Sequence, residues 1–372
     1  MGADKIILII LALFAVVGGI DRIFGSRLGL GKEFEKAISL MGPLFLTMSG
    51  MLILAPPLAK LLSPVIIPVY GFFGADPAIF AGSFLACDMG GFSLAESLTS
   101  NPDAARLGGI IVSSMLGVTV TFTIPVAMGV IDKKDRSAVS RGLLYGVITI
   151  PVGVFAGGIT AGISPLYVLK NMLPIILLAL LIAIGLWKFE RILVLCFSAF
   201  GTFMTALSTA GLLLAITQRA FGFTLVRDLT PLEDVFSVIG EIAIVLAGAF
   251  PLMYIVKLLL KKPLTGLSRA MKINEISTVG LVTSLVNSIP VFESVKDMDE
   301  KGKIINMAFA VSGAFVFGDH LAFTAGADPK GIVALIVGKL TAGLCSIAVA
   351  LLFIKLDNKK QSKKKDKEIQ NV

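Results

Sequence analysis

The residues of this sequence that could carry chemistry are polar side chains inside long apolar runs. Ionisable groups are costly in hydrocarbon, so each of them needs a partner, a cavity or a position at a boundary. Seven polar residues lie in or beside the apolar segments: Asp88, Glu96, Glu241, Asn287, Glu293, Asp319 and His320. They are the first candidates for ligand binding or proton transfer.

Two of these acids occur in related motifs. Residues 82–93 match residues 313–324 when the sequence is shifted by 231 positions, the difference between 319 and 88. The shift pairs Asp88 with Asp319, and also Gly82 with Gly313, Phe84 with Phe315, Phe92 with Phe323 and Ser93 with Thr324. Each aspartate serves either in ligand binding or structurally, as an acceptor for backbone amides freed at a helix break. The repeat does not choose between these two roles.

The composition indicates a membrane protein. The chain has 372 residues, of which 56% are hydrophobic and 16% charged, with a mean hydropathy of +0.91, so it has more apolar surface than a soluble core could bury. The net charge of +8 comes from short loops and a lysine-rich tail, which fits membrane topology better than nucleic-acid binding. The three separated cysteines predict neither a disulfide framework nor a metal site.

About ten or eleven segments are apolar enough to cross a bilayer, since a spanning helix needs roughly 20 apolar residues. We place them at residues 5–24, 38–56, 64–99, 105–130, 142–163, 167–187, 191–217, 235–260, 273–292, 303–326 and 331–355. Prolines and glycines interrupt the third segment, and the backbone groups that they free must face protein or water.

The sequence therefore predicts an all-α, polytopic membrane protein with two related, inverted repeats that contain interrupted or re-entrant segments. The first repeat is residues 1–130, the second is 232–355, helices within 131–231 link them, and 356–372 form a basic cytoplasmic tail. This pattern is typical of secondary transporters, whose substrate site lies near the midplane at interrupted helices.

The basic loops complicate this topology. They lie at residues 22–36, 133–141, 188–191 and 257–272, and in the tail, and the positive-inside rule places all of them in the cytoplasm. Three segments separate the first loop from the second, and three separate the fourth from the tail. Either one segment per repeat is re-entrant, or all of them span and the repeats are inverted against the charge rule.

Aromatic residues and a histidine accompany the aspartates. Phe92 and Phe323 follow their aspartates by four residues, one helical turn, and could either hold an organic ammonium by cation–π attraction or pack in the core. His320 is the only histidine, which suits a hydrogen bond or a proton relay better than a metal site. Glu293 either binds a ligand or pairs with Lys296 at a boundary.

Other functional classes lack support. Residues 25–33 resemble a P-loop, but the glycine spacing is wrong and Glu33 replaces the required Ser or Thr. No nucleophile constellation or dinucleotide fingerprint is visible, so we expect neither an enzyme nor a bound cofactor. Gly153-x3-Gly157 permits close helix packing, either within the protomer or in a homodimer.

The segments Ala86–Ala95 and Phe317–Gly326 resemble the bacterial ethanolamine-utilisation permease family, and the likeness runs from the first helix to the last. The resemblance implies a multi-pass carrier of the bacterial inner membrane, surrounded by lipid, that takes up ethanolamine. The family often has tyrosine at position 92, where this chain has Phe92.

Ethanolamine needs a carboxylate for its ammonium and a polar partner for its alcohol. We expect Asp319, Asp88 or Glu293 to supply the anion, Asn287, Ser93 or Thr324 the polar group, and Phe92 and Phe323 the walls, with His320 beside them. Transport would occur by alternating access, as facilitated diffusion or weakly linked to protons. The alternatives are a channel-like pore for ammonium or small solutes and a sensor or scaffold that transports nothing.

Overall fold

The computed structural model describes residues 2–370, without the side chains of residues 260–262, 264, 265, 267 and 360–370. Most of the predicted basic tail therefore lies outside the described side chains. The helices are α1 (Ala3–Ile23), α2 (Leu30–Ser39), α3 (Met41–Phe72), α4 (Ala78–Phe84), α5 (Gly91–Leu98), α6 (Pro102–Arg106), α7 (Ile124–Val130), α8 (Arg136–Val147), α9 (Ile150–Thr160), α10 (Pro165–Lys188), α11 (Glu190–Phe221), α12 (Leu232–Met271), α13 (Glu275–Ser284), α14 (Ile289–Ser294), α15 (Glu300–Gly313), α16 (Asp319–Ala327) and α17 (Ile332–Gln370). Two π-helical stretches, Leu107–Gly117 and Thr119–Thr123, connect α6 to α7.

The all-α, polytopic fold is confirmed. Eight helical segments of the described chain are long and apolar enough to cross a membrane: Ala3–Ile23, Leu30–Phe72, Pro102–Val130, Arg136–Thr160, Pro165–Lys188, Glu190–Phe221, Leu232–Leu259 and Pro329–Lys359. The three remaining predicted segments are each broken into two short helices, namely α4 with α5, α13 with α14, and α15 with α16.

The first broken segment is a re-entrant hairpin, which we call the first hairpin (residues 76–99). Its two helices, α4 and α5, pack against each other. The hydroxyl of Thr99 donates to Asp76 Oδ2 at 3.0 Å, so the end of the segment lies beside its beginning. The segment therefore returns to the side from which it entered.

The second broken segment, residues 274–299, is also re-entrant, and we call it the second hairpin. The backbone N–H of Asn274 donates to Asp299 Oδ1 at 2.8 Å, and Asn274 Nδ2 donates to the carbonyl of Asp297 at 2.9 Å. Its beginning and its end therefore also lie together.

The third broken segment crosses the whole bundle. The helix α17 packs on α15, where Gly343 approaches Phe309, and it also contacts α16. With the eight continuous spans, residues 300–327 make nine crossings in the described chain, in addition to the two hairpins.

Polar contacts define the two ends of this bundle. We call one of them the Lys303 end, where Lys303 pairs with Asp135 at 2.8 Å and Arg141 pairs with Asp357; the turn of the chain before Asn274 lies there. The other is the Asp328 end, defined by pairs in which Asp328 contacts Arg106, Asp4 contacts Val333, and Asp76 contacts Asn171.

The hairpins enter from opposite ends, the first from the Asp328 end and the second from the Lys303 end. The match between the two aspartate motifs is less regular in three dimensions, because Asp88 lies at the turn of a hairpin and Asp319 begins the second half of a crossing helix. The repeat boundaries drawn from the sequence remain a prediction.

Re-entrance also resolves the conflict among the basic loops. Each set of three segments between two basic loops contains two crossings and one hairpin. Because the number of crossings is even, the two loops lie on the same side of the membrane. Three further features lie at the Lys303 end: the loop before Arg141, the hydrogen bond from Ser140 to Glu190, and the hydrogen bond from Lys301 to the carbonyl of Met271. We infer that the Lys303 end faces the cytoplasm, as the positive-inside rule requires.

The small-residue spacing in α9 is used inside the protomer. Gly153 and Gly157 face Gly338, Ala342 and Ala334 of α17, so the two helices approach closely. These contacts account for the spacing without a dimer, and the predicted homodimer stays a prediction.

The orientation can be tested by cysteine labelling in a variant in which Cys87, Cys196 and Cys345 are replaced by alanine. We expect Lys134→Cys, at the Lys303 end, to react with a membrane-impermeant maleimide only after the cells are permeabilised. Ser100→Cys, an exposed position at the Asp328 end, is the matched control and should react in intact cells. Labelling of Lys134→Cys from outside would contradict the re-entrant topology.

Candidate functional site

The turn of the first hairpin meets the break of the crossing segment in the interior of the bundle. The turn contains one 3-10 turn, Cys87–Met89, which packs against α16 and against the π-helical stretch that follows α6. The second hairpin reaches the same break, since Ser284 and Leu285 accept hydrogen bonds from the backbone of Phe315 and Phe317 at 2.9 and 2.8 Å. Backbone groups freed in hydrocarbon are thus satisfied by other interrupted segments.

Asp88 lies at the tip of the first hairpin. Its side chain is 17% exposed, and its Oδ1 is 3.9 Å from His320 Nε2. This distance is too long for a hydrogen bond, and no side chain among the described residues donates one to this carboxylate. The carboxylate therefore retains free acceptor capacity for a ligand.

Asp319 is the first residue of α16, directly after the break, and is partly buried. The break contains Phe315 with a φ of 62°, a left-handed conformation that is unfavourable for a bulky side chain and that occurs mainly at functional sites. Both aspartates lie where a half-helix begins, and the positive end of a helix favours an anion there.

Phe92 and Phe323 join the two half-helices. Their ring centroids are 6.2 Å apart in an edge-to-face arrangement, and both side chains are buried. Because α5 and α16 both run from the breaks to the Asp328 end, this pair lies between the aspartates and that end. The aromatic residues thus close the site on the side that we infer to be external.

Two buried polar atoms near the aspartates have no hydrogen-bond partner in the described chain. They are His320 Nδ1 and Thr324 Oγ1, which lie one helical turn apart in α16. Buried polar groups are normally paired, so two unpaired atoms beside two free carboxylates indicate a place for a polar ligand.

Lys339 was missed in the sequence analysis. It lies in α17, is 1% exposed and donates to the carbonyl of Ser114 at 2.5 Å. An ionisable side chain at such depth in a membrane-spanning helix is costly. The signal was present in the sequence, because Lys339 is the only charged residue between Lys330 and Lys355.

A metal-ligand arrangement also forms at the tip. Ligand atoms of Cys87, Asp88 and His320 all lie within 4.8 Å of one another. Such groups also lie close together in proteins without an ion. We assign no metal to this cluster.

The remaining predicted residues lie elsewhere. Glu293 is exposed on α14, and Asn287 uses its Oδ1 to accept from the backbone of Ile289 at 2.9 Å. Ser93 lines a separate cavity of about 260 Å³ with Glu96 and Asp234. The structure therefore brings together Asp88, Asp319, His320, Phe92, Phe323 and Thr324, and does not add the other three to this cluster.

The sequence of the whole chain matches one known family. The sequence model described as "Ethanolamine utilisation protein, EutH" covers residues 3–353. The chain belongs to the EutH family. This result confirms the resemblance seen in the two aspartate motifs.

Related proteins match the chain over nearly its whole length. The chain is 46% identical to the "Probable ethanolamine permease EutH" of Listeria monocytogenes over 99% of this chain and 98% of the relative. It is 39% identical to the protein of the same name from Salmonella typhimurium, over 98% of each chain, and 40% identical to "Uncharacterized protein YxeR" of Bacillus subtilis, again over 98% of each. No solved structure matches the chain.

In this EutH-family chain an ion pair at the Asp328 end joins α6 to the end of α16. Arg106 Nε and Nη2 contact Asp328 Oδ2 and Oδ1 at 2.6 and 3.0 Å, and both side chains are 14% exposed. Arg106 follows the first hairpin and Asp328 ends α16, so the bidentate pair fixes their relative position.

This pair gives a stability prediction. Asp328→Asn removes the bidentate partner of the largely buried Arg106 guanidinium, which we expect to cost on the order of 3 kcal/mol, measured by thermal or denaturant unfolding of the protein in detergent. Asp103→Asn is the matched control. Asp103 is half exposed and lies 3.6 Å from Arg106, farther away than Asp328, so this variant should change stability little. Equal losses in the two variants would contradict the assigned role of Asp328.

Proposed function

We propose that the chain is a carrier that brings ethanolamine into the cell across the bacterial inner membrane by alternating access. The observation that supports this proposal best is the pair of free carboxylates, Asp88 and Asp319, at the meeting point of interrupted segments. Membership of a permease family indicates transport rather than catalysis, and the names of the relatives point to ethanolamine.

The chemistry of the cluster fits the substrate. Ethanolamine, like the lysine side chain, carries a primary amine and is mostly a cation at neutral pH. A carboxylate without a strong partner can accept the charge-assisted hydrogen bonds of an ammonium. Asp88 and Asp319 both meet this requirement, and Phe92 and Phe323 bound the space toward the Asp328 end.

The alcohol of the substrate needs a second partner. Thr324 Oγ1 is buried and unpaired, and a hydroxyl can both donate and accept a hydrogen bond. We assign the alcohol to Thr324, with the unpaired His320 Nδ1 as a further acceptor or donor beside it.

Alternating access requires that the site open to one side at a time. The aromatic pair closes the path to the Asp328 end, so separation of α5 from α16 would admit substrate from outside. Movement of the second hairpin would open the path to the Lys303 end. A membrane potential that is negative inside favours entry of the cation by about 2.3 kcal/mol per 100 mV, so facilitated diffusion is sufficient for uptake.

Counterflow of labelled ethanolamine in proteoliposomes tests the proposal. We expect the wild-type protein to exchange the label, unlabelled substrate to compete, and Asp88→Asn and Asp319→Asn each to reduce exchange by about tenfold or more, because each removes a buried charge from the site. Asp103→Asn is the matched control at an exposed carboxylate and should exchange like the wild type.

Other results would contradict the carrier. Flux that does not saturate, without competition by unlabelled amine, would indicate a channel-like pore. No flux from folded, inserted protein would indicate a sensor or scaffold. Choline, propanolamine and ammonium as competitors define the selectivity, and wild-type exchange in both aspartate variants would remove the assigned site.

The role of the hydroxyl gives a separate prediction. Wild-type protein should prefer ethanolamine to ethylamine, which lacks the alcohol, and Thr324→Val should reduce this preference about fivefold, since a neutral hydrogen bond contributes roughly 1 kcal/mol. Inhibition of counterflow by the two amines measures the ratio. Ser93→Ala tests the competing assignment from the sequence, and loss of preference in that variant alone would transfer the role to Ser93.

A further inference from the structure

A cavity of about 270 Å³ lies between α3 and α11 and reaches the tip of the first hairpin. We call it the α3–α11 cavity. Its inner wall includes Met51 of α3, Met89 of the first hairpin and Met204 of α11. Gly90 packs directly against Met51, with no room for a side chain of its own. The wall of the cavity is therefore part of the turn that carries Asp88.

The lining offers a ligand neither a charge nor a free hydrogen-bond donor. Half of the residues that line the cavity are leucines and methionines, and the other half carry hydroxyls: Thr47, Thr121, Thr205, Ser208 and Thr209. Each of these hydroxyls donates to a backbone carbonyl, at 2.8 to 3.2 Å. An ammonium would lose its water here without gaining a charged partner, so the cavity suits an apolar chain.

The mouth of the cavity faces lipid near the middle of the bilayer. Thr205 lies midway along α11 (Glu190–Phe221) and is exposed at the mouth, and Leu46 on the α3 side is 66% exposed. Both helices belong to membrane-spanning segments. The mouth is therefore continuous with the lipid-facing surface, at a depth where the bilayer consists of hydrocarbon.

We propose that the α3–α11 cavity binds one acyl chain of a membrane phospholipid, whose end reaches Met89 at the tip of the first hairpin. The medium at the mouth supplies this ligand, and the lining matches its chemistry. Methionine side chains adapt to ligands of irregular shape, and three of them form the inner wall. The bound chain fills the space behind the turn that carries Asp88 and so supports the first hairpin. The inference does not depend on which solute the protein transports.

Photolabelling tests whether an acyl chain enters the cavity. The protein is reconstituted in liposomes that contain a phosphatidylglycerol with a diazirine at the end of one acyl chain, then irradiated, digested and analysed by mass spectrometry. We expect label at Leu85 or Met89 as well as on lipid-exposed residues such as Leu177 of α10. Leu85 is 4% exposed and lines the cavity, so the cavity is the route by which a chain end reaches it.

Variants that fill the mouth give the matched comparison. Thr205→Trp places an indole at the mouth and should abolish the label at the hairpin tip, while the label at Leu177 remains. Thr202→Trp is the control, because Thr202 is exposed one turn earlier on α11 but does not line the cavity, and it should keep the label at the tip. Thr209→Trp fills the same mouth and replaces Thr205→Trp if that variant does not fold.

Thermal unfolding in detergent gives a second measurement. A ligand of the folded state raises the unfolding temperature, so added phosphatidylglycerol should stabilise the wild type and Thr202→Trp more than Thr205→Trp. Glycerophosphoglycerol has the same head group without acyl chains and should have no effect on any of the three proteins.

The opposite outcomes would overturn the inference. Label confined to lipid-exposed residues would mean that no acyl chain enters, and tip label that persists in both mouth variants would mean another route. Loss of the tip label on addition of ethanolamine would assign the cavity to the path of the substrate. Neither measurement requires transport, so a wild-type protein without counterflow would contradict the proposed function and leave the acyl-chain site to be decided by the label.

Discussion

The structure depends on the requirement that every backbone group inside the bilayer be bonded within the protein. Three segments break this rule locally, at the tip of the first hairpin, at the tip of the second and in the middle of residues 300–327. The breaks satisfy one another, since Phe315 and Phe317 donate to the second hairpin and Leu85 accepts from Ser113 in the π-helical stretch. Three interruptions that would each be unstable alone are therefore collected in one place.

Collecting the breaks also collects the charges. A hairpin tip and a half-helix start both present positive backbone dipoles, which favour the aspartates found there. The ionisable groups of the interior are then Asp88, Asp319 and Lys339, whereas the bidentate pair of Arg106 and Asp328 lies at the boundary. The two sets of charges are thus separated by depth in the bundle.

The sequence predicted much of this, and the failures have physical causes. The apolar runs predicted the helical class, and the glycine-flanked acids singled out Asp88 and Asp319. Both predictions were possible because length, hydropathy and local chemistry are properties of single segments. Whether a broken segment returns or crosses depends on contacts between Thr99 and Asp76 that local sequence does not encode. Glu293 and Ser93 were selected as polar residues near a motif, but helix phase turns them elsewhere. Lys339 was overlooked because its partners are distant in the chain.

The two ends of the bundle differ in charge. A cavity toward the Asp328 end contains Glu96 and Asp234, whereas the Lys303 end carries the basic loops. In the carrier that we propose, a cation would be concentrated at the first end and repelled at the second, so it would meet the outer opening often and, once released inside, would seldom return. Such an asymmetry cannot change the final ratio of concentrations, which thermodynamics fixes, but it would favour the inward half of the proposed cycle at low external supply.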